Sequence, residues 1–312
     1  MTERPFVVVG ESLVDIVVPH HGEVVNAPGG SPMNVAVGLS RLDVPALLVT
    51  ELGDDDLGRL VADHVHESRV RLSDGSVQPG RRTSTATAHL DPGHAADYTF
   101  DLTWDLPPQR LPEEPLGLHV GSLGASLDPG RGAVADLVRQ ADADDVFVSF
   151  DPNVRPAFLT DPDLAWRELL ETAGGSWLVK MSDEDLRALQ PGVPFDRAAA
   201  GLLGSSHTEM VIVTSGADGA CAFTGTVAVE VPAPRVDVTD TVGAGDSFMA
   251  AALAVLVDWG ITTGGPGALG ELDEDRVRLL LSGSVGAAAV TCSRRGANPP
   301  TRRELPPGWP AG

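Results

Sequence analysis

The chain has 312 residues, 42% of them hydrophobic, and a formal net charge of −22 at pH 7. That length supports a large buried core and little more than one domain. The acidic balance argues against nucleic acid and anionic membranes as partners. Two isolated cysteines, Cys221 and Cys292, make neither a disulfide framework nor a zinc site. No apolar run reaches the roughly 18 residues of a membrane-spanning helix. The opening MTERPFVVVGE does not read as a signal peptide, so the expected location is the cytoplasm.

FVVVG (6–10) predicts a short buried strand, and VDIVV (14–18) a second. A helix is expected over about 33–42, a strand at 46–53 and an amphipathic helix at 56–67. The texture then changes. RTSTATAHL (82–90) and DYTFDL (97–102) alternate polar and apolar residues around DPGH, which predicts a hairpin with one exposed face. From residue 118 strand and helix alternate again: LHVGSL, a helix at 130–141, VFVSFD, a helix at 162–173, WLVKMS, helices near 183–189 and 196–204, then EMVIVTSG. A hairpin of ACAFT and VAVEVP follows, then helices at about 246–258 and 273–292. Repeated βαβ units predict an α/β fold with a doubly wound, mostly parallel sheet flanked by helices. The period-2 segments at about 11–30 and 80–104 do not fit inside such a sheet. PPQRLPEEP (107–115) reads as a hinge back into the core. The Pro-rich PPTRRELPPGWPAG is expected to be poorly ordered at its end.

Two stretches carry chemistry. DTVGAGDSF, Asp240 to Phe248, puts two glycines and an aspartate at the mouth of a predicted helix. Small residues let backbone N–H groups approach an anion, and a helix N-terminus adds free donors and a positive dipole end. A carboxylate in the same turn could take the proton of an attacking hydroxyl. The alternative is a Gly-rich turn with Asp246 as an ordinary N-cap. GGSPMNVAVGLSRL, Gly29 to Leu42, repeats the pattern with Asn34 in the first turn of its helix.

Two Gly-rich helix mouths in this order resemble the two signatures of the PfkB/ribokinase family of sugar and nucleoside kinases. The likeness extends over nearly the whole chain. It implies a ribokinase-like sheet with a small β-sheet lid inserted in two pieces, about 11–30 and 80–104. It implies ATP-dependent transfer of a phosphoryl group to a sugar hydroxyl, with Asp246 as general base and Gly243, Ala244 and Gly245 as anion hole. Asp15, Gly29, Gly30 and Asn34 would hold the sugar. By itself Asp15 reads as a solvated strand residue, and it is the family pattern, with an aspartate at this place, that reverses that reading.

DPNVRP, Asp151 to Pro156, resembles the D-x-N-x-R segment of fructokinase-like and ketodeoxygluconate-kinase-like members. Asn153 and Arg155 would then meet substrate hydroxyls or the transferring phosphate; a helix-start loop with a surface arginine is the alternative. VKMSDED has Ser182 and Asp185 where many members carry Asn-x-x-Glu, which organises Mg²⁺ through water. The likeness assigns an indirect metal role to Asp185 or Glu184 and places Lys180 and Ser182 beside the nucleotide. TSGADG, with Thr214, Gly216 and Gly219, resembles the nucleotide loop. RRGANPP (294–300) resembles the segment flanking the adenine pocket and a monovalent-cation site, K⁺, with Asp240 as its side chain. The nearest pattern is fructokinase-like, which implies fructose or a related ketose; 2-keto-3-deoxygluconate, ribose and nucleosides are the family alternatives. A catalytically silent sugar-binding protein is the non-enzyme alternative. A Rossmann dehydrogenase is excluded, because VVVGESLVD lacks G-x-G-x-x-G. A homodimer through the lid is also implied, with Tyr98 and Phe100 either on its outer face or toward the sugar.

Overall fold

A computed structural model describes residues 4–90, 96–204 and 207–310. Strand β1 (Phe6–Val9) is buried on both faces: Phe6 and Val8 join one core, Val7 and Val9 the other. A continuous apolar run is what a strand covered on both sides requires. The chain then leaves for the pair β2 (Leu13–Val18) and β3 (Val25–Gly29) and returns through α1 (Ser31–Arg41) to β4 (Ala46–Val49). The expected strand at 46–53 splits after Val49, and β5 (Leu52–Gly53) pairs instead with β7. Between them lie α2 (Asp56–Glu67) and β6 (Arg71–Leu72), and β7 spans Val77–Gln78. The hairpin is β8 (Thr85–Leu90) and β9 (Ala96–Asp101); its DPGH turn at 91–94 lies outside the described residues. There follow β10 (Gly117–Gly121), α3 (Arg131–Ala143), β11 (Val148–Asp151), α4 (Pro162–Gly174), β12 (Leu178–Ser182), α5 (Asp183–Leu189) and α6 (Phe195–Leu203). The chain closes with β13 (Met210–Thr214), β14 (Ala220–Thr224), β15 (Ala228–Val231), α7 (Ala244–Asp258) and α8 (Glu274–Cys292).

The main sheet has the order β15-β14-β13-β12-β11-β10-β1-β4-β6, and only β14 runs against the others, antiparallel to both β13 and β15. Helices α1, α2, α7 and α8 build the core on one face, and α3 to α6 the core on the other. The order reverses beside β1, where the chain moves first to β4 and later to β10. Ligands of open α/β sheets bind beyond the carboxyl ends of strands at such a reversal.

The two period-2 segments form a separate four-stranded sheet, β3-β2-β8-β9. Its register decides between the two readings of Tyr98 and Phe100. Asp15 lies opposite Ala86, and Ala86 opposite Phe100, so Asp15, Phe100 and Tyr98 share one face. Tyr98 and Phe100 therefore do not lie on an outer face away from Asp15. Phe100 meets Phe158 of the loop after β11, ring centroids 5.2 Å apart. Alternation shows that a strand has two faces; it does not show which one meets the body.

The Pro-rich tail is held to the body up to residue 310, and its last two residues lie outside the described residues. Leu305 is 5% exposed. The Arg302 guanidinium donates to Leu42 O and pairs with Asp258. The Trp309 indole N–H donates to Gly283 O at 3.0 Å, an approach that needs a residue without Cβ on α8. Composition marks the segment as unable to form regular structure, and long-range partners order it nonetheless.

Candidate active site

Helix α7 begins earlier than its apolar run suggests. Gly243 is the N-cap, with φ 75°, so Asp246 is the third helical residue and does not cap its own helix. Its partners come from α1. Ser31 Oγ donates to Asp246 Oδ1 at 2.6 Å, and Asn34 Nδ2 donates to Oδ2 at 2.7 Å. Asp246 is 8% exposed. The two helices can meet this closely because a Cβ on Gly38 of α1 would stand 2.5 Å from Ala250 of α7. Residues 248–256 of α7 are buried throughout, as expected for a helix apolar on all sides. The carboxylate thus rides on a rigid element.

Beneath this helix mouth lies a buried ion pair. Lys180 Nζ on β12 sits 2.8 Å from Asp151 Oδ2 at the end of β11, with side chains 5% and 1% exposed. A Cβ on Gly245 would stand 3.2 Å from that ammonium. Burial pushes the Asp151 carboxyl up to about 6, against the pull of Lys180. Burial disfavours the Lys180 charge, but Asp151, Asp185 and Asp246 outweigh it and hold the ammonium above its ordinary range. On β10, His119 Nδ1 is bonded to Ser149 Oγ at 2.9 Å. Burial and the Lys180 charge push this imidazole down to about 3, which keeps it neutral.

The loop after β11 brings the next residues. Asn153, at φ 39°, accepts from Arg155 Nη1 at 2.9 Å. The exposed guanidinium faces Asp15 and Glu11, and its charge favours ionisation of both. Burial nevertheless raises the Asp15 carboxyl above its usual range. Gly29 lies against Asp15: a Cβ there would stand 2.2 Å from Oδ2. Gly30, at φ 111°, crosses Glu11 O so closely that a Cβ would fall 2.5 Å from it. Ser182 and Asp185 form a capping box at the start of α5. Asp185 also accepts from Val154 N at 2.8 Å, which ties α5 to the 151–155 loop.

Glu11 is buried at the end of β1 and accepts from Gly124 N at 2.7 Å. Burial pushes its carboxyl from the ordinary 4.5 up to about 7. Between those values the folded protein holds a proton that the unfolded chain releases. Native stability is therefore undiminished below about 4.5 and is lost as pH rises through about 7, by at most about 1.4 kcal/mol per pH unit. Glu11→Gln keeps the acceptor for Gly124 and removes the titration. Melting temperatures measured from pH 5 to 8 are expected to shift in favour of the variant up to about pH 7 and to level off above it. A constant gap across that range would mean that Glu11 is ionised in the native state.

The remaining expected residues lie on neighbouring segments. Thr214 ends β13, and its hydroxyl donates to Met181 O at 3.5 Å. Gly216 and Gly219 shape the turn into β14; a Cβ on Gly219 would strike Val231 O. Asp240 accepts from Val242 N and Gly296 N, which clamps the entry of α7 to the 294–298 segment. An apolar groove of about 550 Å³, lined by Pro234, Val236, Ala289, Val290, Leu305 and Trp309 among others, runs alongside α8.

A family model described as pfkB family carbohydrate kinase matches residues 4–303. The chain belongs to this family. A fructokinase from Klebsiella pneumoniae is 33% identical over 297 residues, covering 91% of this chain and 92% of that protein. The structure resembles that of Xylella fastidiosa fructokinase with bound ATP, at a TM-score of 0.81 and 23% identity over 97% of this chain and 95% of that one. It also resembles Vibrio cholerae O395 fructokinase bound to fructose, ADP and calcium ion, at a TM-score of 0.77 and 23% identity over 95% of each chain. The doubly wound, ribokinase-like fold with its smaller sheet is borne out. As a pfkB family carbohydrate kinase, the protein is a phosphotransferase acting on a sugar hydroxyl.

In this pfkB kinase the structure joins Asn34 to Asp246, Gly29 to Asp15 and Gly245 to Lys180. It gives Thr214, Gly216 and Gly219 no hydrogen bond to that centre. Sequence reasoning missed Ser31 and Glu11. Ser31 stood inside the first helix mouth, one residue past the glycines. Glu11 was legible as an acid closing a wholly apolar strand. No helix among the described residues is long and apolar enough to cross a membrane.

Proposed function

We propose that the protein is an ATP-dependent kinase of a neutral ketose, with fructose the preferred acceptor and Asp246 the general base. The observation that carries this reading is Asp246 itself, fixed by Ser31 and Asn34 at the mouth of α7 beside Gly243–Gly245. Asp246 takes the proton of the acceptor hydroxyl as its oxygen bonds to the γ-phosphorus; the bond to the bridging oxygen breaks, and ADP leaves with that electron pair. Backbone N–H groups of Gly243 and Gly245 meet the charge that develops, while that of Ala244 donates to Thr241 O at 3.2 Å. Lys180 and Arg155 are the cations nearest this chemistry.

The donor set fits Mg²⁺ only through water. Among the described residues no three His, Cys, Asp or Glu side chains cluster closely enough to clasp a metal. Asp185 accepts one backbone N–H on each oxygen, and each oxygen keeps a second lone pair. Mg²⁺, when bound, would neutralise phosphate charge. The Asp240 carboxylate has no cationic side-chain partner among the described residues, which suits a monovalent cation such as K⁺ beside it.

The acceptor class follows from charge. Asp15 and Glu11 face a single guanidinium, that of Arg155, which already donates to Asn153. A keto-acid would bring a carboxylate into this acidic floor; a neutral polyol brings hydroxyls that carboxylates accept well. The small sheet serves as the lid, and a second copy of the chain pairs with it across the row Val25, Val17, Ala88 and Tyr98, whose ends are 57% and 59% exposed. The test is ADP release over a panel of sugars. Fructose or a close ketose is expected to give the highest kcat/KM. A nucleoside favoured by at least about tenfold, or a keto-acid favoured over every neutral sugar, would overturn the assignment.

A further inference from the structure

The mechanism above makes no use of Asp151, although this carboxylate is 1% exposed and lies at the centre of the molecule. Its Oδ2 accepts from Lys180, and its Oδ1 has no hydrogen-bond partner. Burying a carboxylate is costly, and a buried pair is weak evidence for stability as such. The one thing this carboxylate's hydrogen bonding does is fix the ammonium of Lys180.

That ammonium has other places to go. It lies against Gly245, the residue before Asp246, and the charges of Asp246 and Asp185 both act on it. Asp185 is held by Val154 N and Ser182 N on the far side of its capping box. Asp246 receives only neutral donors, Ser31 and Asn34, from α1. Among the described residues Lys180 is the one cationic side chain bonded to Asp151 or Asp246, and His119, on the same face of the sheet, is kept neutral by burial and by Lys180. An unrestrained ammonium at this point would pair with Asp246. A carboxylate paired with an ammonium is a weaker base.

We propose that Asp151 is a positioning residue: by holding Lys180 beneath Gly245, it keeps the ammonium from pairing with Asp246. This rests on the reading of Asp246 as general base. Asp151 acts through Lys180, which its carboxylate holds at 2.8 Å.

Lys180 is the only lysine in the chain, so ¹⁵N labelling of lysine side chains yields one ammonium signal, and that signal reports the pair directly. The full chain is labelled as wild type, Asp151→Asn, Asp246→Asn and the double variant. In the wild-type background, Asp246→Asn is expected to move the Lys180 signal little. In the Asp151→Asn background, the same change is expected to move it strongly, because the ammonium has transferred to Asp246. Turnover of Asp151→Asn is expected to fall by at least about tenfold, part of the 10²–10⁴ that a general base contributes, with sugar KM within about threefold. A purely structural Asp151 would alter melting without coupling the Lys180 signal to Asp246. Absence of that coupling, or normal turnover in Asp151→Asn, overturns the proposal. If Asp151→Asn does not fold, Asp151→Ser takes its place: the smaller hydroxyl leaves no charge to hold Lys180, and the same coupling and loss of turnover are expected. An active Asp246→Asn enzyme would instead refute the general base, a failure distinct from that of Asp151.

Discussion

Asp246→Asn is expected to lower turnover by about 10²–10⁴-fold while leaving the fold intact. The surroundings of the side chain make the experiment clean. Asn34 donates to one carboxylate oxygen and Ser31 to the other. The new amide keeps an oxygen for Asn34, and its NH₂ can donate to the Ser31 hydroxyl, which rotates from donor to acceptor. No buried polar group is stranded, so melting should change by only a few degrees. Nucleotide affinity should survive, because the backbone donors of residues 243–245 are untouched. Alanine at this position would be a poorer probe, since it leaves Ser31 and Asn34 unpaired at a cost of about 1–3 kcal/mol each. Turnover, nucleotide affinity and melting are to be measured on one preparation. A folded variant with turnover within about fivefold of wild type would falsify the base assignment.

Gly243→Ala is expected to damage both stability and turnover, for a reason that is steric rather than chemical. Gly243 sits at φ 75°, where a residue with Cβ loses roughly 1–2 kcal/mol. The added Cβ would also stand 2.6 Å from Ala297 Cβ and 2.7 Å from its Cα. The second contact is with backbone, so a rotamer change cannot relieve it, and the 295–298 segment must move away from α7. Gly296 N is bonded to Asp240 Oδ2 at 2.8 Å, so the displacement carries into the entry of α7. The combined cost is estimated at about 2–4 kcal/mol. The first amides of α7 move with it, and loss of such donors is worth about 10²–10³-fold in turnover. Differential scanning calorimetry with steady-state kinetics checks both. Normal melting with normal turnover would mean that the 295–298 segment yields freely and that the close approach at Gly243 is incidental.

Whatever repeats along the chain was legible before the structure. The run FVVVG announced a strand buried on both faces, and β1 is one. The apolar stretch after Asp246 announced a central helix. The change to period 2 near residues 14 and 85 marked strands that could not enter the parallel sheet, and they lie in their own. These features are local. Pleat, helical period and the steric freedom of glycine act over a few residues, so a few residues suffice to reveal them. The glycines at 29–30 and 243–245 were legible as places where a ligand could approach the backbone; the protein atoms that crowd them, of Asp15, Glu11, Ala297 and Lys180, were not readable.

The site itself was legible as a set of residue types and illegible as an arrangement. Asp246 looked equally like an N-cap until α1 supplied Ser31 and Asn34 from more than two hundred residues away. Lys180 and Asp151 looked like separate strand ends until adjacent parallel strands placed them 2.8 Å apart. The face on which Phe100 lies, the anchoring of the tail through Trp309 and the depth of Glu11 were likewise settled only by folding. The physical division is one of range. Backbone geometry and amphipathic period depend on neighbours in the chain, and the sequence by itself determined them together with the family they identify. Burial, hydrogen-bond partners and the protonation they impose depend on which distant segments share a low-dielectric space, and only the tertiary structure decides that.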